Sequence, residues 1–353
     1  MKVDYLIVGA GLAGVCFADF CWRNNKSFVV MDHGKRTSSQ VAGGMFNPLV
    51  LKRFSSIWQA DEQIALAHNF YPQMEELLHD SFYYKVPIYR KFASIEEQNN
   101  WFLACDYPLT APHLNVQLKK EKIPHIDSPF LFGEVYNTGF LNVGPFINAY
   151  QRFLKTHELF LEEEFIYEDV YMESERIIYK NVEAKHLIFA EGFSMHNNPF
   201  FNFLPLDGTK GELLYVRIPN LKLQNIVKSN IFIIPLGDDM YKIGATYDWA
   251  DKTDVPTQQA KEELLEGLEK LISCPYEVID HVAGVRPTVK DRRPLVGAHY
   301  QYKNIHILNG LGTRGVLLGP YLADKLYQNI ENNVPLDHNI NVARYYKKLQ
   351  LIK

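Results

Sequence analysis

Tyr5-Leu6-Ile7-Val8 is a short apolar run that stops at glycine, Val15 to Trp22 carries apolar positions at helical spacing, and Ser27 to Met31 is a second apolar run. The pattern predicts strand, turn, helix and strand. Further on, Ile64, Leu66, Ala67, Phe70, Met74, Leu77 and Leu78 share one face of a helix predicted over 59–79, with Pro72 a candidate kink. Phe82 to Phe140 reads as short strands and turns with one helix around Ile95 to Ala104, followed by a helix over Val143 to Lys155 and strands at Leu159 to Phe165 and Arg176 to Tyr179. Lys185 to Ala190 is a buried strand that ends at Gly192. Leu213 to Ile218, Ile231 to Pro235 and Tyr241 to Ala245 are strand-like runs separated by turn residues, as in an antiparallel sheet. Gln258 to Ile272 is a helix, and Ile305 to Leu308 is a strand leading through glycines into a helix that ends near Ile330.

This order fits an α/β protein of two domains, and 353 residues suffice for both. The composition, 47% hydrophobic and 22% charged, is that of a globular chain, and the net charge of −4 gives no electrostatic reason to expect nucleic acid. No apolar run approaches the roughly twenty residues that cross a bilayer. The first residues already form a core strand, so a cytoplasmic location without signal peptide is expected. Cys16, Cys21, Cys105 and Cys274 have no ligand spacing, so neither a zinc site nor a disulfide framework is expected.

The first turn carries chemistry. In Gly9-Ala10-Gly11-Leu12-Ala13-Gly14, Gly9 permits the tight turn, Gly11 lets the backbone approach a pyrophosphate, and Gly14 lets helix pack on strand. The helix N-terminus offers unpaired N–H groups to phosphates, and Asp32 at the end of the second strand suits ribose hydroxyls. A second G-x-G-x-x-G stands at Gly310, Gly312 and Gly315. The stretch after it, Glu331 to Asn339, is polar, so a second complete nucleotide fold is excluded. One large cofactor touched by both ends of the chain fits FAD better than NAD.

Four patches together resemble the D-amino-acid-oxidase-like FAD oxidoreductases, which include glycine oxidase and sarcosine oxidase. They are Gly9 to Asp32, Thr37 to Pro48, Ala283-Gly284-Val285-Arg286-Pro287 with Asp291 to Gly297, and Gly310 to Pro320. The resemblance implies a Rossmann-type FAD-binding domain made of 1–75, 140–195 and 285–353, and a discontinuous antiparallel-sheet substrate domain made of 76–139 and 196–284. It implies that Ser38, Ser39, Gln40, Ala42, Gly43 and Gly44 run along the cofactor, where the plain alternative is a surface loop. Leu12, Ala13, His33, Phe165 and Gly192 join the implied cofactor set, as do Thr313, Arg314 and Val316 at the second glycine turn. Arg286 matches the arginine that binds a substrate carboxylate in two parallel hydrogen bonds; a structural ion pair is the alternative.

Two departures stand out. Phe232 occupies the place of a tyrosine that helps bind the carboxylate in glycine oxidase, and Tyr247 is the residue that could supply a hydroxyl instead. No cysteine follows Cys274, so noncovalent FAD is expected rather than the cysteine link of sarcosine-oxidase-type members. The implied reaction is oxidation of an amine or small amino acid: hydride passes from the α C–H to flavin N5, the imine hydrolyses, and oxygen is a candidate acceptor. Two rivals stand beside it. One is the oxidase domain that acts on carboxymethylaminomethyl groups of tRNA wobble uridine, whose C-terminal glycine segment also has arginine before its last glycine. The other is a flavin-bearing binding protein without turnover.

Overall fold

The first apolar run forms the strand Lys2–Val8, flanked in parallel by Phe28–Asp32 on one side and Val182–Phe189 on the other. In the computed structural model, which describes residues 1–34, 38–120, 122–173 and 176–351, Phe160–Glu162 extends this sheet past Phe28–Asp32. Ile305–Asn309 pairs in parallel with the carboxyl half of Val182–Phe189, and Leu295–Ala298 runs antiparallel beside it. Both faces of the central strands are buried, which is why these segments read as unbroken apolar runs. One face is covered by the helices Leu12–Arg23, Ala60–Leu78, Val143–Thr156 and Gly315–Asn332. The helix expected over 59–79 is Ala60–Leu78, and Pro72 lies within that single continuous element.

The second sheet has seven strands, in the order Glu277–Arg286, Thr209–Arg217, Met240–Gly244, Phe232–Gly237, Ile226–Lys228, Ile88–Lys91 and Phe132–Val135. Neighbours are antiparallel except Ile226–Lys228 with Ile88–Lys91. Leu264 and Leu268 of the helix Gln258–Glu269 pack on its outer face against Leu214, Val216, Ile233 and Ile243. Its inner face, with Leu213, Phe232 and Val282, turns toward Val41 and Leu49. The sheet is wider than the three runs expected because strands such as Glu277–Arg286 are exposed over their first half and carry no continuous apolar signal.

The two ends of the chain are packed on one another. A Cβ at Gly319 would lie 3.1 Å from Cys16 Sγ, and one at Gly315 would lie 3.2 Å from Leu12 Cδ2, so the last helix approaches the first through its glycines. Glu331 accepts hydrogen bonds from the Tyr5 hydroxyl and from Lys26 Nζ, and the Tyr71 hydroxyl donates to the Val316 carbonyl at 2.7 Å. Among the described residues no helix is long and apolar enough to cross a membrane.

Gly14 tests the tightest of these fits, because a Cβ there would overlap the Gly9 carbonyl oxygen. Gly14→Ala should cost about 3 kcal/mol in denaturant unfolding. Gly192→Ala, strained at φ +58° but with open space around it, should cost only about 1 kcal/mol. Equal losses would show that close packing is not what Gly14 provides.

Candidate functional site

A cavity of about 1000 Å³ lies between the carboxyl ends of the parallel strands and the inner face of the second sheet. At one end it is walled by Gly9, Gly11, Leu12 and Ala13. Gly9 holds φ +102°, and a Cβ there would meet the Ala190 carbonyl oxygen at 2.5 Å. Gly11 is the N-cap of the helix Leu12–Arg23 and provides no side-chain cap, so the first-turn N–H groups are left for a ligand, save that Leu12 N–H donates to Ser39 Oγ at 3.2 Å. The buried Asp32 carboxylate accepts from the N–H groups of Ala10 at 2.7 Å and Gly34 at 2.9 Å, which fixes it beside the turn. Of the loop residues, His33, Ser38 and Ser39 line the cavity here.

Phe165 lines the same end, its ring stacked on Tyr179 at 4.4 Å. Glu191, two residues after the strand Val182–Phe189, is a half-buried cavity-wall carboxyl that accepts from the Tyr167 hydroxyl and from Asn198 Nδ2, both at 2.6 Å. Burial pushes its pKa up to about 7 against the effect of those two donors. At neutral pH Glu191 is then only partly ionised, which lessens the negative charge on this wall. Gly192 (φ +58°) and Gly312 (φ +55°) face open space within the lining, and the Asn309 amide donates to the Gly192 carbonyl at 2.8 Å. Thr313, Gly315 and Val316 complete this wall, and the helix Gly315–Asn332 also begins without a side-chain cap. Two uncapped helix N-termini and the open glycines Gly192 and Gly312 on one cavity fit a dinucleotide with two phosphates.

At the other end Ala42, Gly43 and Gly44 face the second sheet. The Phe232 ring fills the space at Gly43, where a Cβ would lie 2.9 Å from its Cζ. Lys242 is buried behind this loop, donating to the carbonyls of Ala42 at 3.3 Å and Gly43 at 3.5 Å, and burial pulls its pKa down to about 8. Arg286 reaches the cavity from the strand Glu277–Arg286. Its Nη1 donates to the carbonyls of Lys210 at 3.1 Å and Thr246 at 3.3 Å, and its guanidinium lies over the Tyr247 ring, 4.5 Å from the centroid. Gly211 passes beneath: a Cβ there would occupy the guanidinium's own position. Burial lowers the Arg286 pKa from the ordinary arginine value, and among the described residues the arginine ion pairs belong to Arg23, Arg90, Arg176, Arg217 and Arg344. The segment carrying Tyr247 is pinned from below, where the buried Lys210 Nζ meets Asp251 at 2.5 Å and Glu212 accepts from the Thr257 N–H at 2.8 Å.

The structure thus brings together most of the residues named from sequence, with four outside the lining. Gly14 packs on the Gly9 carbonyl, and Gln40 donates to Asn148 at 2.8 Å. Gly310, at φ +77°, packs against Val289 and the Pro294–Leu295 backbone, and Arg314 lines a separate cavity. Thr37 lies outside the described residues. Glu191 and Lys242 were not singled out from sequence, although each is a charged residue inside an apolar strand context, Phe189-Ala190-Glu191 and Tyr241-Lys242-Ile243.

The profile of the FAD dependent oxidoreductase (DAO) family matches residues 4–328. Glycine oxidase of Bacillus subtilis (strain 168) is 26% identical over 174 residues, covering 46% of this chain and 47% of that protein. The tRNA 5-methylaminomethyl-2-thiouridine biosynthesis bifunctional protein MnmC of Shewanella halifaxensis is 26% identical over 186 residues, covering 41% of this chain and 29% of that protein. The chain therefore spans less than half the length of the curated relatives it matches. Among solved structures, glycine oxidase from Geobacillus kaustophilus superposes with a TM-score of 0.80 at 19% identity, over 95% of this chain and 96% of that one, which is a likeness of fold.

Gly211→Ala should leave the fold intact by circular dichroism and weaken binding of a small carboxylate such as acetate roughly 100-fold, by displacing Arg286. Unchanged carboxylate affinity would exclude the guanidinium as the anchor. Lys242 allows a test by pH. Its folded pKa of about 8 lies below the ordinary lysine value of 10.5, so the unfolded chain binds more protons between those values and Lys242's contribution to stability rises with pH across that window. Lys242→Met should therefore be more stable than the parent at neutral pH, by about 3 kcal/mol at most, and the difference should close toward pH 10. A difference that does not vary with pH would mean the lysine is not buried as a charge.

Proposed function

The chain belongs to the family of FAD-dependent oxidoreductases, and from that premise we propose that it oxidises the C–N bond of a small amino acid or of an amine bearing a carboxylate. The observation that carries this reading is Arg286, a half-buried guanidinium on the cavity wall with no carboxylate partner among the described residues. Such a charge is unfavourable when buried alone, and its planar fork matches the two oxygens of a carboxylate.

Bound FAD supplies the two-electron acceptor for the C–H bond beside the substrate nitrogen. Gly9, Gly11 and the two uncapped helix N-termini would hold its phosphates, and Asp32 its ribose. Arg286 takes the substrate carboxylate, Tyr247 supports the guanidinium from below, and Phe232 keeps the facing wall apolar. That wall favours a small or aliphatic group on the substrate. The amine arrives in its neutral form, so no protein base is assigned. FAD is held noncovalently, with no cysteine beyond Cys274 to link it, and oxygen is the proposed acceptor of its electrons. Residues 1–75, 140–195 and 285–353 carry the cofactor in this reading, and 76–139 with 196–284 form the substrate side. The Bacillus subtilis relative, named a glycine oxidase, supports an amino-acid substrate.

The relative from Shewanella halifaxensis supports a second reading, oxidation of an aminomethyl group borne by a tRNA uridine. Salt-dependent retention of tRNA on filters separates the two.

Anaerobic mixing of the FAD-loaded protein with D-, L- and N-methyl amino acids should bleach the flavin absorbance for at least one small member. Arg286→Lys should lower kcat/KM for that substrate roughly 100-fold. If no member of a broad panel bleaches the flavin, the amino-acid reading fails, and a tRNA substrate or a protein without turnover remains.

A further inference from the structure

A second cavity of about 640 Å³ lies on the other side of the C-terminal glycine turn: Thr313 lines the first cavity, and Arg314, next in the chain, lines the second together with Arg292 and Arg293. Arg293 lies over the Trp58 ring at 5.6 Å from its centroid, and Arg292 over the Trp249 ring at 4.8 Å, so aromatic faces hold two of the three guanidiniums. None of the three has an ion pair among the described residues, where the paired arginines are Arg23, Arg90, Arg176, Arg217 and Arg344.

The carboxylates at this cavity are turned to other partners. Asp61 lies 3.2 Å from His113 Nε2, and Glu62 accepts from the Tyr321 hydroxyl at 3.2 Å. Asp291 accepts from the Tyr345 hydroxyl at 2.6 Å and from the Arg293 N–H at 2.9 Å, and pairs with Arg344 at 3.1 Å. Burial, and then the neighbouring charges of Arg293 and Arg292, work against the charge on Arg314. Three guanidiniums line one recess, and none of its carboxylates is bonded to them, so their donor groups are left for an anion. One guanidinium fork satisfies a planar carboxylate, whereas three lining one recess suit the several oxygens of a tetrahedral phosphate. Arg292 is held at φ +60°, a backbone conformation better suited to asparagine or glycine.

We propose that Arg292, Arg293 and Arg314 form a phosphate-binding subsite, separated from the oxidation cavity by the Gly312 to Gly315 turn. The assignment is independent of which amine is oxidised. The phosphate belongs either to a small phosphorylated molecule or to the backbone of an RNA, and both present the same oxygens.

The test uses the FAD-loaded protein at low ionic strength. Calorimetric titration with inorganic phosphate should show binding that weakens roughly tenfold or more for each arginine lost in Arg292→Asn and Arg293→Gln. Arg292→Asn should hold or raise the melting temperature while it weakens phosphate, which a structural role for that arginine would not do. Arg286→Gln should leave phosphate binding unchanged, so that failure of the amino-acid reading and failure of this one are told apart. Unfractionated tRNA is the second probe: if RNA is the source, the double variant should lower the salt slope of its binding by about 2. Binding of phosphate without tRNA assigns the site to a small phosphorylated ligand. Phosphate and tRNA affinities unchanged in the double variant, or binding of neither by the parent protein, would overturn the proposal.

Discussion

The contact of Gly315 and Gly319 with Leu12 and Cys16 is the constraint on which the rest of the site depends. Two helices from opposite ends of the chain lie close enough that a methyl group on either glycine would crowd the partner. Because they lie side by side, both present their amino ends to one cavity, and the backbone dipoles add there instead of pointing apart. The strands beneath are parallel, so their carboxyl ends open on the same side, where Asp32 and Glu191 are placed by strand geometry. The site is assembled by packing before any side chain acts.

The cavity is electrically graded along its length. Its glycine end is rich in backbone donors and holds carboxyls already engaged in part, Asp32 with backbone N–H groups and Glu191 with Tyr167 and Asn198. Its far end holds one half-buried guanidinium and a buried lysine behind the loop, both underpaired. An extended ligand with phosphates at its middle and a small carboxylate beyond it would meet a complementary field throughout. Phe232 and Leu213 between these ends exclude water from the contact region.

Much of this was legible in the sequence where the signal is local. The first strand, turn and helix announce themselves because burial on both faces demands unbroken apolar runs and because the turn demands glycine. The second glycine turn is tied to the first by elimination, because the polar stretch after it leaves no strand for a second nucleotide fold, and by the resemblance; nothing local says that residues some three hundred positions apart share a wall. Arg314 shows the limit: its neighbour Thr313 faces the first cavity, while the chain's turn at Leu311 to Gly315 sends the arginine side chain to the opposite face. Glu191 and Lys242 escaped notice because a charged residue in a strand is visible, but its burial and partners depend on segments far away in sequence. The breadth of the second sheet was hidden for a similar reason: one edge strand, Glu277–Arg286, is exposed over its first half, and Ile226–Lys228, Ile88–Lys91 and Phe132–Val135 are only three or four residues long and gain their order from neighbours.

The join between the first and last helices also has a consequence for how the protein is made. The helix Leu12–Arg23 leaves the ribosome well before its partner Gly315–Asn332, which follows only after roughly tens of seconds of further synthesis. During that interval the last helix is not there to cover the face carrying Leu12 and Cys16, and one wall of the cavity does not exist. Closure of that wall is thereby set by the order of synthesis, later than the folding of the first strand, turn and helix.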